Sequence, residues 1–145
     1  MTGIFRHQLI LFTVMFLVGI SLNPMNILAY RVSDIYLSLT LLYSGLFMAS
    51  NMIWSHQIVH YMSMGHFNTR IFIVGIFLSI VSIFLLRSQL FVTRNEWLKR
   101  MIGHHSTAIT TTKQLLSDND IFTSDSYLFT LAKNLEYEQE REILF

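Results

Sequence analysis

Ile71-Phe-Ile-Val-Gly-Ile-Phe-Leu-Ser-Ile-Val-Ser-Ile-Phe-Leu-Leu86 holds no charged or strongly polar side chain, and Arg70 and Arg87 bracket it. A stretch this apolar is either the core helix of a soluble protein or a membrane span, and its surroundings decide between them. The flanking arginines can snorkel toward headgroups. The apolar character also resumes through Leu90-Phe91-Val92, which predicts a span over about 70–91.

Two further uncharged runs precede it. His7–Tyr30 ends at Arg31, and its apolar core Leu9–Ile20 continues through Asn23-Pro24 to Leu28. At about 1.5 Å per residue, twenty-odd residues cross a hydrocarbon layer of about 30 Å. This predicts a span over about 8–29, kinked at Pro24. A cleaved signal peptide would need a basic leader, a shorter apolar stretch and a small-residue cleavage site. Arg6 alone precedes the run and no such site follows it, so the segment reads as a retained span. The second run, Ile35–Trp54, predicts a span over about 35–55 with Trp54 at the interface. Beyond it, His56-Gln-Ile-Val-His60-Tyr-Met-Ser-Met-Gly-His66 is polar enough to leave the bilayer. No span carries an internal Asp, Glu, Lys or Arg, which argues against an ion pathway or proton relay.

Composition agrees. The chain has 145 residues, 52% hydrophobic and 13% charged, against roughly 25% charged in an ordinary soluble domain. Between Met1 and Leu86 only Arg6, Arg31, Asp34 and Arg70 are charged, and every Lys and Glu follows residue 94. The lipid bilayer is the expected partner of the first part and water of the second. A net charge of +1 gives no electrostatic case for nucleic acid. With no Cys there are no disulfides, thiolate metal sites or thiol nucleophiles.

From residue 93 the pattern becomes that of soluble amphipathic helices. Thr93-Arg-Asn-Glu96 reads as a capping box opening a helix to about Leu116. Trp97, Met101, His105, Ala108, Thr112 and Leu115 share one face of it. Ser117-Asp-Asn-Asp120 breaks the helix, and a second starts near Asp125 with Leu128, Leu131 and Leu135 inward. The short connection predicts an antiparallel hairpin over 93–145. A turn near residue 121 would put His104 and His105 opposite Tyr137, Glu138 and Gln139, with Met101 facing Arg141 and Glu142. The expected architecture is therefore all-α: a membrane domain of three transmembrane helices over 1–92, then a C-terminal two-helix hairpin. Two helices make a thin core, so the hairpin is expected to pack on the membrane part, on a second copy or on another membrane protein.

Met101-Ile-Gly-His104-His105-Ser-Thr-Ala108-Ile109 and the later Gln139-Glu-Arg-Glu142-Ile143 resemble the bacterial family known as domain of unknown function 305. Its hallmark is Met-Ile-Pro-His-His with Ala soon after, then Gln-x-x-Glu-Ile on a distal helix. Leu131-Ala-Lys-Asn-Leu135 is similar to its second helix, while Met48-Ala-Ser-Asn-Met52 and Leu86-Arg-Ser-Gln89 resemble its membrane-anchored branch. Gly103 stands where the family has proline, and the family's next Met falls beyond Phe145. The resemblance implies a ferritin-like helical bundle without enzymatic activity and, in some members, copper handling through Met and His.

His104, His105 and Met101, with Glu138 and Glu142 opposite, form the first candidate metal site. Imidazole suits copper or zinc, and thioether favours Cu(I), so copper is the cofactor this set would take. The plain alternative is that one imidazole hydrogen-bonds a glutamate and only holds the hairpin together. Met52, His56 and His60, at successive i, i+4 positions with Met62, Met64 and His66 behind, form a second metal-ligand set. Its plain alternative is Met as core filler and His as an interfacial residue. A di-iron centre needs Glu-x-x-His steps, which are absent, and no nucleophile elbow, Walker loop or dinucleotide fingerprint occurs. The expectation is a non-enzymatic multi-pass membrane protein that binds a transition metal, or else a purely structural or assembly component. Orientation stays open: Arg31, Arg87, Arg94, Lys99 and Arg100 on the hairpin's side, against Arg6 and Arg70 on the other, favour a cytoplasmic hairpin, whereas the family resemblance implies an exterior one.

Overall fold

The computed structural model of the chain describes residues 2–117 and 126–144, and every regular element among them is helical, with no strand. The helices are α1 (Thr2–Ser21), α2 (Pro24–Ile27), α3 (Leu39–Met64), α4 (Thr69–Ser88), α5 (Arg94–Ser117) and α6 (Ser126–Leu144), with a 3-10 turn at Val32–Asp34. The helix-breaking run after Ser117 and the expected start at Asp125 lie outside the described residues. Contacts divide the chain into two compact units: residues up to Asn23 with Leu39–Thr93, and Pro24–Ser38 with everything from Arg94.

In the first unit α3 is the central helix, packed by α1 on one side and α4 on the other. Small residues let the backbones approach. A Cβ on Gly19 would stand 3.1 Å from Gly45 Cα, and one on Gly75 would stand 2.9 Å from Trp54 N. Polar groups turn inward and are satisfied there. Ser79 donates to Asn51 Oδ1 at 2.9 Å, which also accepts from Trp54 Nε1 at 3.1 Å. Ser50 and Ser82, both fully buried, bond the carbonyls of Leu46 and Leu78. Large apolar side chains such as Leu9, Val14, Phe77 and Phe84 point outward.

One expectation is met in part and two are corrected. Of the three spans that the sequence predicts, two described segments, Gly3–Ile27 and Thr69–Ser88, are long and apolar enough to cross a membrane. The remaining helix starts at Leu39, not 35, and runs on to Met64 without leaving helix after Trp54. It falls short in apolarity because it carries the serines, Asn51, Gln57 and histidines that form the seam with its neighbours. Pro24 does not kink a continuous helix: α1 ends at Ser21 and Pro24 opens the separate α2. A proline lacks the N–H that would continue the helix and restricts the residue before it, yet suits a first helical position. The last apolar helix keeps close to its expected start. Asn68 caps it by accepting from Ile71 N at 3.3 Å, and Gln89 ends it in the left-handed region at φ 49°.

In the second unit α5 packs against α6 and is also covered by residues 24–38. Ser106 donates to Asp34 Oδ2 at 2.6 Å and accepts from Tyr30 N at 2.8 Å, with Ser106 and Asp34 both buried. Thr107 bonds Met25 O at 3.2 Å, and the Arg100 guanidinium rests on Met25 Sδ. Lys113 ties three segments together: it donates to Glu140 at 2.7 Å and Tyr30 Oη at 3.0 Å, and lies 3.6 Å from Glu136. This double cover rotates α5 from its expected face. Ser106, Ile109 and, on α6, Ala132 are buried, whereas Trp97, Leu115, Leu131 and Leu135 are exposed.

Candidate functional site

The hairpin register follows from Lys113. Because it holds Glu136 and Glu140, His105 meets Glu142 about one turn beyond the expected Glu138 level. His105 Nδ1 lies 3.0 Å from Glu142 Oε2, at ion-pair distance, yet off the line of a hydrogen bond, and the buried nitrogen has no other partner among the described residues. Glu138 is turned away into an ion pair with Arg141. His104 is exposed, its ring 6.0 Å from that of His105, and Met101 is half-buried. Of the first candidate set the structure thus joins His105 and Glu142, with His104 beside them, and parts them from Glu138.

The second set is arranged differently. His56 and His60 sit one turn apart on α3 with ring centroids 6.0 Å apart. Met52 does not join them in the cleft that they line. The structure instead adds His7 from α1, 5.8 Å from His56, and His66 from the α3–α4 connection, 6.3 Å from His60. All four imidazoles line one cleft of about 650 Å³ together with Gln8 and Met64. His60 Nδ1 donates to the His66 carbonyl at 3.0 Å, and His66 Nδ1 to the Met64 carbonyl at 2.9 Å. Gln8, 6% exposed, donates from Nε2 to His56 Nδ1 at 3.1 Å, while its Oε1 has no partner among the described residues.

His56 lies just past the second apolar stretch. Burial, then the neighbouring charges of His7 and His60, push its pKa below the ordinary value of 6.5. Among the described residues no group of three or more His, Cys, Asp or Glu is close enough to hold a metal ion. His7 and Gln8 were not singled out in the sequence because each stands at the start of an apolar run. Up–down topology alone would have found them, since it puts the start of the first long helix beside the end of the second.

These features define an all-helical protein with two segments long and apolar enough to cross a membrane and a histidine-lined cleft at one end of the unit they build. The chain is 33% identical over 122 residues to "Uncharacterized protein L153" of Acanthamoeba polyphaga mimivirus, spanning 84% of this chain and 77% of that one. It belongs to the family of that protein. No protein-family model matches the chain, and no solved structure matches it.

Proposed function

We propose that this is a non-enzymatic, multi-pass membrane protein whose three long N-terminal helices cross the bilayer and hold the α5–α6 hairpin at its surface. The observation that carries this reading is the inverted burial of the first unit. The apolar window in Gly3–Ile27 is 6% buried and that in Thr69–Ser88 17% buried. A core helix of a soluble protein would be mostly covered, whereas a span faces lipid with its large side chains and packs through small and polar ones. The central α3 completes the set: at 26 residues it is about 39 Å long, and its polar groups face its neighbours. Because the chain has no Cys, single cysteines report cleanly. Cysteines at Val74 and Phe84 should resist a water-soluble maleimide in intact membranes, and one at Ser117 should react from one side only. Ready labelling of Val74→Cys, or release of the protein by alkaline carbonate, would refute the reading.

A second reading is uptake of a transition metal, copper first, by the hairpin. The approach of His105 to Glu142 and the resemblance to domain of unknown function 305 support it. Copper titration of the purified chain tests it: a His104→Ala, His105→Ala double variant that binds as well as the parent removes it. In that case the purely structural or assembly role stands, with self-association or another membrane protein as partner.

A further inference from the structure

A lateral groove of about 360 Å³ opens between α1 and α4 in the first unit. Phe5, Leu9 and Phe12 form one wall, Val74 and Leu78 the other, and Ile53 of α3 the floor. Gln8 borders both this groove and the histidine cleft, and Arg70 lines the groove. An apolar groove and a polar cleft lined by His7, His56, His60 and His66 therefore adjoin at Gln8. The first unit contains no Asp or Glu; its charged side chains are Arg6, Arg70 and Arg87. With N–H donors in the cleft, Arg70 in the adjoining groove and no carboxylate in the unit, an anion meets donors and no like charge, as phospholipid headgroups do in basic pockets between membrane helices.

We infer that the groove and cleft together bind one anionic phospholipid, its acyl chain between α1 and α4 and its phosphate among the histidines. This rests on the membrane reading above. His56 accepts from Gln8 at Nδ1, so its Nε2–H is a donor even when the ring is neutral. His60 and His66 have committed their Nδ1–H groups to backbone carbonyls. Each can donate from Nε2 only after taking up a proton. Binding therefore tightens as the pH is lowered. The groups that set this dependence are His7 and Arg6 on α1, His56 and His60 on α3, His66 in the connection and Arg70 on α4. Phosphatidylglycerol, whose phosphodiester carries the negative charge and no cationic group beside it, is the probe of choice.

The full chain, purified in non-ionic detergent, is equilibrated with equal amounts of phosphatidylglycerol and phosphatidylcholine, and the retained lipid is counted by native mass spectrometry. Phosphatidylglycerol should be favoured at pH 6 by about fivefold or more, the scale of one basic contact, and less at pH 8. The His60→Gln, His66→Gln double variant should lose the pH dependence. Val74→Trp, at a groove wall 54% exposed and clear of the helix seams, should lose the lipid while circular dichroism stays unchanged. Equal retention of both lipids, or a preference that survives both variants, would overturn the inference. So would full displacement of the lipid by millimolar inorganic phosphate, which would leave the groove without a role. A protein that stays in membranes yet shows no lipid preference loses this inference alone; one that needs no detergent loses the membrane reading.

Discussion

Ser106 on α5 donates a 2.6 Å hydrogen bond to Asp34, although 72 residues separate them and neither is open to solvent. Ser33 donates to the other carboxylate oxygen, but a buried Oδ2 stripped of its donor costs the desolvation it no longer recovers. Ser106→Ala should therefore lower the stability of the hairpin unit by about 1–3 kcal/mol, read by urea unfolding in micelles. Pairing it with Asp34→Leu should restore part of the loss, because an apolar pair leaves no charge unsatisfied.

Helix approach in the first unit gives a second test. A methyl on Gly75 would meet the backbone nitrogen of Trp54 at 2.9 Å, an atom that cannot swing aside. Gly75→Ala should cost about 1–3 kcal/mol, as overpacking does. Gly3→Ala, with open space around it, should leave the melting temperature in place.

Acid should loosen the first unit through His56. Its folded pKa lies below the ordinary 6.5, so the unfolded chain binds the extra proton and stability falls as pH drops from 6.5 through the folded value. Thermal melts between pH 7.5 and 5 should show this decline, and His56→Gln should flatten it. An added anionic lipid should oppose it. A parent protein as stable at pH 5 as at pH 7.5 in plain detergent would contradict the assignment.

Lys113 is the joint of the second unit. Hydrogen bonds to Glu140 first and Tyr30 second hold it in its charged form well above the usual lysine range, and its ammonium stands 4.1 Å from the Tyr30 ring centroid. Lys113→Met should cost about 1 kcal/mol, more than the loss of the solvent-facing Lys133. His105 and Glu142 should then be free to slip, which a pair of spin labels at Lys99 and Leu144 would record as a broadened distance.

Much of this was legible beforehand. The absence of charge found the apolar stretches, although α1 already begins at Thr2 and α3 runs on to Met64, while periodicity placed α5 within about a residue, because those signals act locally. What escaped was set by long-range choices. The rotation of α5 depends on residues 24–38 covering it, and nothing in a stretch such as Tyr30-Arg-Val-Ser-Asp34 announces a partner so far along the chain. The hairpin register depended on which glutamates Lys113 selects from an acidic run with several candidates. His7 looked like the edge of a span because its neighbours in the cleft come from another helix.

Pro24–Ser38 separates the first two long helices in sequence but belongs to the hairpin unit in space. That imposes a chronology on synthesis. The segment leaves the ribosome well before α5 exists, and Asp34 must wait, hydrated and unpaired, until Ser106 emerges. α1, α3 and α4 are all made before the hairpin unit can close. A fragment beginning at Arg94 would lack part of its own core, so the hairpin matures only around a segment made long before it.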